Sequence, residues 1–127
     1  MFNTVYVLER DPAECRWIES ALAGRVRTIV FLTDGATLPD WLAAQGGDCL
    51  LCSVEPDAKA ALELGRGLRR RGEMLPVVML GPHSAFRTAV DVARLAGTDF
   101  LERPVSAQRL RAALRRVTAV AEECAKR

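Results

Sequence analysis

Short apolar runs alternate with amphipathic segments five times along the chain, and this alternation limits the possible folds more than any other feature. The runs are rich in β-branched and aliphatic residues, which is typical of strands. They cover Thr4–Leu8, Val26–Leu32, Cys49–Ser53, Pro76–Leu80 and Thr98–Leu101. Strands that are apolar throughout are typical of parallel sheets covered on both faces. With right-handed crossovers, the sequence therefore predicts an α/β fold in which a doubly wound sheet forms a three-layer sandwich.

Each amphipathic segment predicts a helix with one apolar face toward the sheet. Asp11 followed by Pro12 is a typical start for the first helix, and Ser106 is a typical cap for the last. Arg69–Arg71 end the third helix, where we interpret them as solvated positive charge. The predicted apolar faces contain Trp17, Ile18, Ala21 and Leu22; Trp41 and Leu42; Ala61, Leu62, Gly65 and Leu68; Phe86, Ala89, Val90 and Ala93; and Leu110, Leu114, Val117 and Ala121.

Composition indicates one ordinary globular domain and excludes several classes of protein. The 127 residues suffice for one domain, which we place at residues 1–121, with a charged tail or the start of a linker at 122–127. A net charge of +2 requires neither a nucleic-acid nor a membrane partner. No apolar run approaches the roughly 20 residues that span a bilayer. The N-terminus lacks the pattern of a signal peptide, so we expect a cytoplasmic location.

The four cysteines predict reduced thiols and no metal site. A chain without an export signal keeps its thiols reduced in the cytosol. Cys49 and Cys52 lie three positions apart on a predicted strand, which directs them to opposite faces of the sheet. The single histidine, His83, lies in a predicted loop, so a zinc site is not expected.

The carboxyl ends of four of the five predicted strands, the first, third, fourth and fifth, carry the residues that could form a site. In a doubly wound parallel sheet the carboxyl ends of the strands meet at one edge, where ligand sites form. The residues that the sequence brings to this edge are Glu9, Arg10 and Asp11; Ser53 and Glu55; Gly81; and Glu102 and Arg103.

Several segments of the chain resemble segments of the receiver domain of bacterial two-component response regulators, and they occur in the same order as in that family. The strongest match is "LPVVMLGPHSAFRTAVDVARLAGTDFLERPV", Leu75–Val105, in which "DFLERP" is similar to the D-F-L-x-K-P ending of the family. "VYVLERDP" lies where the family has an acidic cluster, and "CLLCSVEP" lies where it has the phosphorylated aspartate. The resemblance covers nearly the whole chain. It implies a flavodoxin-like (βα)5 fold with a parallel sheet of strand order 2-1-3-4-5.

The positions that carry the chemistry of the family differ in this chain. Subtraction of residue numbers puts Arg10, Ser53, Gly81 and Arg103 at separations of 43, 28 and 22, close to those of the family's four functional positions. The resemblance implies the following equivalents: Ser53 for the phosphoacceptor; Glu9, Arg10, Asp11 and Glu55 for the acidic pocket; Gly81 and Phe100 for the switch pair; and Arg103 for the lysine.

These substitutions remove the groups that phosphoryl transfer needs. The family, as the resemblance implies, holds Mg²⁺ between the acceptor aspartate and an acid of the first-strand cluster. Arg10 stays protonated and cannot ligate a cation, and the hydroxyl of Ser53 is a weak nucleophile without a neighbouring base. The glycine at position 81 has no hydroxyl to follow a phosphoryl group.

Two alternatives stay open for the residue at the acceptor position. The segment before Pro56 is one residue shorter than usual, so Asp48 or Glu55 could take the place of Ser53. Asp48 lies at the wrong end of the strand, however, and Glu55 would lengthen the strand with polar residues. Ser53 itself either fills the space of a lost carboxylate or accepts phosphate from a serine kinase.

The charged residues at this edge also admit two interpretations. In the first, the acids form an ion-pair cluster in which an internal arginine replaces the metal. In the second, Arg10 and Arg103 form an anion pocket, since two guanidinium groups suit phosphate or carboxylate.

We therefore predict a degenerate receiver, or pseudo-receiver, that lacks a phosphoacceptor and a Mg²⁺ site. We expect no enzymatic activity, no metal and no cofactor. Its partner is expected to be a protein, in a homodimer or through docking, with no membrane contact. Contact with DNA, and any control of transcription, would require an output domain beyond Arg127. The alternative hypotheses are a sensor of small anions that uses Arg10 and Arg103, and a phosphorelay protein with an unconventional acceptor.

Overall fold

Five strands form one parallel sheet at the centre of the molecule. The structure is a computed structural model that describes residues 1–125. The strands are β1 (Phe2–Leu8), β2 (Val26–Phe31), β3 (Cys49–Ser53), β4 (Val77–Gly81) and β5 (Thr98–Glu102). Their order in the sheet is β2-β1-β3-β4-β5, and all four pairings are parallel. This order confirms the predicted flavodoxin-like α/β topology.

The strand bounds differ slightly from the prediction, most clearly in β4. The predicted run began at Pro76, but the strand begins at Val77 and extends to Gly81. Proline has no N–H to give to the ladder, and Pro76 contributes only its carbonyl, which accepts from the N–H of Leu50. Gly81 pairs with Glu102, so β4 and β5 both reach one residue further toward the functional edge than predicted.

Five α-helices connect and follow the strands. They are α1 (Pro12–Leu22), α2 (Leu38–Gln45), α3 (Ala58–Arg70), α4 (Phe86–Ala93) and α5 (Ala107–Ala125). A 3-10 turn, Gly35–Thr37, leads into α2. The predicted caps are confirmed: Asp11 accepts from the N–H of Ala13, and Ser106 accepts from the N–H of Arg109. No helix within residues 1–125 combines the length and the apolar character that a membrane crossing demands.

Helix α5 continues into the segment that the sequence assigned to a tail or linker. It runs to Ala125, so residues 122–125 are helical. The remaining two positions of that segment, 126–127, lie outside the described residues. The predicted domain limit at residue 121 therefore stays a prediction.

The sheet separates two apolar layers. Helices α1 and α5 cover one face, where Val7, Ile18, Leu51 and Leu114 belong to one cluster of buried residues. Helices α2, α3 and α4 cover the other face, where the buried cluster includes Tyr6, Leu50, Met79 and Val92.

The two strand cysteines lie on opposite faces, as predicted. Cys49 belongs to the layer of α1 and α5, and Cys52 belongs to the layer of α2, α3 and α4. Both are free thiols. Burial raises the pKa of Cys52 to about 12 and also raises the pKa of Cys49. Both thiols therefore stay protonated and unreactive at neutral pH.

The predicted inward face of α4 is wrong. Thr88 and Val92 are the buried residues of this helix, whereas Phe86 is 72% exposed and Val90 is 40% exposed. Ala93 is exposed as well. Apolar residues occupy most positions of this short helix, so their periodicity alone does not determine which face packs against the sheet.

Arg69 is not the solvated helix end that the sequence predicted. Its guanidinium donates to the carbonyl of Ala96 at 2.8 Å, to that of Glu73 at 2.9 Å and to that of Gly97 at 3.3 Å. Burial lowers the pKa of this guanidinium. Arg69 thus joins the end of α3 to the turn before β5, while Arg70 and Arg71 are exposed as predicted.

Candidate functional site

The carboxyl edge of the sheet brings together side chains from four parts of the chain. Ser53 is the last residue of β3, Glu9 directly follows β1, and Arg103 directly follows β5. Glu55 lies two residues beyond β3, and Glu14 lies in the first turn of α1. We call these five residues the arginine cluster, because all the contacts below converge on Arg103.

The guanidinium of Arg103 contacts every other member of the arginine cluster. Its Nη2 lies 2.5 Å from Oε2 of Glu9, and its Nη1 lies 3.3 Å from Oε1 of Glu55 and 3.4 Å from Oγ of Ser53. Its Nε lies 3.6 Å from Oε2 of Glu14. The side chains of Arg103 and Glu9 are only 19% and 6% exposed. Three carboxylates therefore share one largely buried cation.

Glu14 was missed in the sequence. It lies in the first turn of α1, where acids are common because they stabilise the helix N-terminus. The start of α1 at Pro12 also places this turn at the carboxyl edge, within reach of Arg103. That placement is the signal that could have identified Glu14 as part of the site.

Among the residues that the structure describes, no side chain accepts a hydrogen bond from Ser53 that could activate its hydroxyl. The residue is 8% exposed, and its Oγ accepts from the N–H of Glu55 at 3.2 Å and from Arg103. The single histidine of the chain, His83, is turned to another acid: its Nδ1 lies 2.6 Å from Oε1 of Glu102. Ser53 therefore remains a neutral hydroxyl next to a protonated guanidinium.

Arg10 does not take part in the arginine cluster. Its side chain is exposed and lines a groove that Ser53 also lines, but Arg103 does not line that groove. The neighbouring Asp11 caps α1. The internal cation of this edge is thus Arg103, and the structure does not bring Arg10 and Arg103 to a common anion pocket.

The arginine cluster does not fit Mg²⁺, the ion that the family implies. The guanidinium of Arg103 lies between the carboxylates of Glu9 and Glu55. Mg²⁺ requires oxygen ligands at about 2.0–2.1 Å in near-octahedral geometry, which this arrangement cannot supply while the guanidinium is in place. Among residues 1–125, no three His, Cys, Asp or Glu side chains are grouped so that they could hold a metal ion.

The structure places Asp48 far from this edge. Its carboxylate accepts from the N–H groups of Asn3 and Thr4 at the opposite end of β1. Glu55 lies beyond the strand, whereas Ser53 pairs with Leu80 inside the sheet. Of the three residues considered for the acceptor position, Ser53 is therefore the one at the end of β3.

Gly81, the predicted equivalent of the switch hydroxyl, lies in a space with no room for a side chain. A Cβ atom at this position would lie 2.4 Å from Cγ2 of Val54 and 2.9 Å from Cζ of Phe100. Both distances are shorter than real Cβ contacts. Phe100 is half-buried against the layer of α2, α3 and α4, so its ring and Val54 together fill the place of the missing side chain.

Known proteins with related sequences are regulators that are longer than this chain. No protein-family model matches it. The DNA-binding transcriptional regulator NtrC of Escherichia coli K12 is 32% identical over 101 residues, which cover 79% of this chain and 21% of NtrC. The response regulator protein TodT of Pseudomonas putida F1 is 26% identical over 118 residues, which cover 89% of this chain and 50% of TodT. The chain thus spans about a fifth of the length of NtrC.

Solved structures of receiver domains share the fold. The N-terminal signal receiver domain of a two-component system response regulator from Bacteroides fragilis superposes with a TM-score of 0.82 at 17% identity, covering 93% of this chain and 98% of that domain. Full-length FixJ from B. japonicum superposes with a TM-score of 0.82 at 23% identity, covering 97% of this chain and 61% of FixJ.

Proposed function

This chain is a receiver domain of the response-regulator type, and we propose that it signals through protein contact without accepting a phosphoryl group on an aspartate. The observation that carries this proposal is the guanidinium of Arg103 among the carboxylates of Glu9, Glu14 and Glu55. A tethered cation there supplies the charge balance for which a metal would otherwise be needed. In this proposal the arrangement of this edge does not change, and the domain acts as a pseudo-receiver.

The chemistry of Ser53 supports the same proposal. Its hydroxyl has no base beside it within the described residues, so it attacks a phosphoryl donor poorly. Arg103 could attract phosphate, but its charge is already shared by three carboxylates. Within residues 1–125 the edge therefore lacks an activated nucleophile, and its internal cation is already paired, so no enzymatic step is assigned to it.

Incubation with Mg²⁺ and acetyl phosphate is expected to leave the intact mass of the protein unchanged, because neither the nucleophile nor the metal site is present. Intact-mass spectrometry measures the outcome directly. The matched control is the triple variant Arg10→Asp, Ser53→Asp, Arg103→Ala, which adds two carboxylates and removes the guanidinium between Glu9 and Glu55; its melting temperature should rise with millimolar Mg²⁺ while that of the wild type does not. A phosphoryl group on Ser53 of the wild type would contradict the proposal.

Exposed apolar residues on α4 support a surface for protein contact. Phe86, Val90 and Ala93 follow one another at helical spacing and are all exposed, with Ala89 half-buried between them. An exposed aromatic side chain in such a stripe is typical of a protein interface. This stripe is where the proposed homodimer, or a docked partner protein, makes contact.

The variant Phe86→Asp is expected to convert the homodimer to a monomer, because it replaces the largest and most exposed apolar side chain of the stripe with a charge. Size-exclusion chromatography with light scattering measures the mass of both forms. Met74→Asp is the control, since Met74 is also an exposed apolar residue but precedes β4 at the other end of the sheet. A wild type that stays monomeric at every concentration rules out the homodimer.

The names of the relatives suggest the setting in which such contact acts. NtrC is named as a DNA-binding transcriptional regulator, and this chain corresponds to about a fifth of its length. In our proposal the domain is a regulatory part of a longer cytoplasmic protein, and an output domain elsewhere in that protein carries any DNA binding. A membrane has no role in it.

A further inference from the structure

Arg69, next to the last residue of α3, uses every nitrogen of its guanidinium in a contact with the backbone. Nε donates to the carbonyl of Ala96 at 2.8 Å, Nη1 to that of Glu73 at 2.9 Å and Nη2 to that of Gly97 at 3.3 Å. Nη2 also lies 3.4 Å from Oγ1 of Thr98. Hydrogen bonds from a charged donor are stronger than those between neutral groups. These contacts, which we call the Arg69 clamp, therefore hold the turn between α4 and β5 to the end of α3.

Close packing accompanies these hydrogen bonds. A Cβ at Gly97 would lie 3.2 Å from Nη2 of Arg69, so a side chain at this position would crowd the clamp. A Cβ at Gly65 of α3 would lie 3.4 Å from Cδ1 of Leu95, so this leucine packs directly on α3. Polar contacts and apolar packing together attach the segment that follows α4 to α3.

The N-terminal end of α4 has no comparable attachment among the described residues. Ala85 precedes the helix and provides no side-chain cap. The loop before it makes an ion pair from His83 to Glu102, but these two side chains are 90% and 51% exposed. An ion pair between such exposed groups contributes little to stability. The side-chain attachments of α4 are therefore concentrated at its C-terminal end.

The arginine cluster at the carboxyl edge has no hydrogen bond or ion pair to α4 within the described part of the chain. The polar contacts of the Arg103 side chain stay within the cluster, whose members lie at the ends of β1, β3 and β5 and in α1. Gly81 ends β4, just before the loop that leads to α4, and as a glycine it has no side chain to link the two. The position of α4 is therefore not tied to the arginine cluster by side-chain bonds.

We infer that Arg69 is a positioning residue for the exposed stripe of α4, and that this surface is controlled from the end of α3 and not from the arginine cluster. The inference rests on the proposed function, in which the stripe of Phe86, Val90 and Ala93 makes the protein contact. With the Arg69 clamp in place, α4 keeps one orientation. Without it, α4 loses its attachment at one end and other orientations become populated, so binding to the stripe weakens in proportion to the lost fraction of the competent orientation.

Hydrogen exchange of α4 tests the clamp directly. The variant Arg69→Met keeps an apolar side chain but loses all donors, so amide exchange in residues 86–97 is expected to become about tenfold faster. Arg66→Met is the matched control, because Arg66 is an exposed arginine of the same helix that pairs with Glu63 at 3.7 Å. It should leave exchange in residues 86–97 unchanged. Mass spectrometry of peptides from the exchanged protein measures both variants, and circular dichroism verifies that they fold.

Association through the stripe provides the second measurement. The apparent dissociation constant of the homodimer, from light scattering over a concentration series, is expected to rise about fivefold in Arg69→Met and to stay unchanged in Arg66→Met. Arg69→Lys keeps the charge, but its compact ammonium cannot reach all the carbonyls that the guanidinium contacts. Both exchange and association of Arg69→Lys are therefore expected to lie between those of the wild type and those of Arg69→Met.

A variant at the carboxyl edge tests where α4 is controlled. Arg103→Ala disrupts the arginine cluster, but it should leave exchange in residues 86–97 as in the wild type, because this segment opens locally and not by global unfolding. Faster exchange of this segment in Arg103→Ala than in Arg69→Met would assign the control to the carboxyl edge and overturn the inference.

Two further results would overturn it. Equal exchange of residues 86–97 in Arg69→Met and Arg66→Met would show that the clamp does not hold α4. An increase of the same size in every peptide of Arg69→Met would show a general loss of stability instead of the release of one helix. A wild type that is monomeric at every concentration contradicts the homodimer of the proposed function, whereas the exchange measurements decide on the clamp independently.

Discussion

Replacing Arg103 with alanine is expected to lower the free energy of unfolding by about 3 kcal/mol, because removing one partner of a largely buried ion pair leaves the other uncompensated. Glu9 is 6% exposed and has Arg103 as its ion-pair partner. Glu14 and Glu55 lose the same cation, so three carboxylates repel one another at one edge. Urea denaturation followed by circular dichroism at neutral pH measures the change.

A variant of a surface arginine distinguishes the loss of the central cation from the loss of any positive charge. Arg116 pairs with Asp99 between α5 and β5, but its side chain is 59% exposed. Its replacement by alanine is therefore expected to cost less than about 1 kcal/mol. Millimolar Ca²⁺ or Mg²⁺ should restore part of the stability of Arg103→Ala and none of that of Arg116→Ala. Equal losses in the two variants would show that Arg103 is not the central cation.

A methyl group at position 81 is expected to destabilise the fold by about 2–3 kcal/mol, which is typical of overpacking in a well-packed region. The cause is space, since the added Cβ of Gly81→Ala would lie 2.4 Å from Val54 and 2.9 Å from Phe100. Gly81 is the buried last residue of β4, paired with Glu102 of β5, so the neighbouring backbone can move little. Thermal and urea denaturation of Gly81→Ala measure the loss.

Two further variants identify the cause. The double variant Gly81→Ala, Val54→Ala shortens the side chain that the added Cβ would meet. It should lose less stability than the sum of the losses of the two single variants, because the smaller side chain at position 54 leaves room for the added methyl group. Gly67→Ala is the matched glycine control, since its position is helical and open. That change should leave stability unchanged or raise it by up to about 1 kcal/mol. A destabilisation of Gly67→Ala equal to that of Gly81→Ala would contradict the steric explanation.

The sheet could be predicted from the sequence because its signal is local. Each strand is a short apolar run, and the order of the elements with right-handed crossovers restricts the topology. The same reasoning separated Cys49 from Cys52 correctly, since alternation along a strand follows from backbone geometry. It failed for α4, where apolar residues surround the helix and only the packed structure shows that Thr88 and Val92 face inward.

The candidate site was predictable as a set of positions but not as a set of contacts. The strand ends brought Glu9, Ser53, Glu55 and Arg103 to one edge, and the structure places them in contact. The sequence did not show which arginine becomes the internal cation. That depends on the conformation of a long, flexible side chain, which no local sequence pattern predicts. Arg69 shows the same limit, because its acceptors in the turn before β5 are 27 and 28 positions away.

The contact between Glu9 and Arg103 joins residues 94 positions apart in the chain. During synthesis, the acids that follow β1 and β3 therefore emerge from the ribosome long before their cation exists. The arginine cluster cannot form until β5 and Arg103 have been synthesised. Such distant pairing slows folding relative to local helix formation, so completion of the nascent domain depends on translation reaching this arginine.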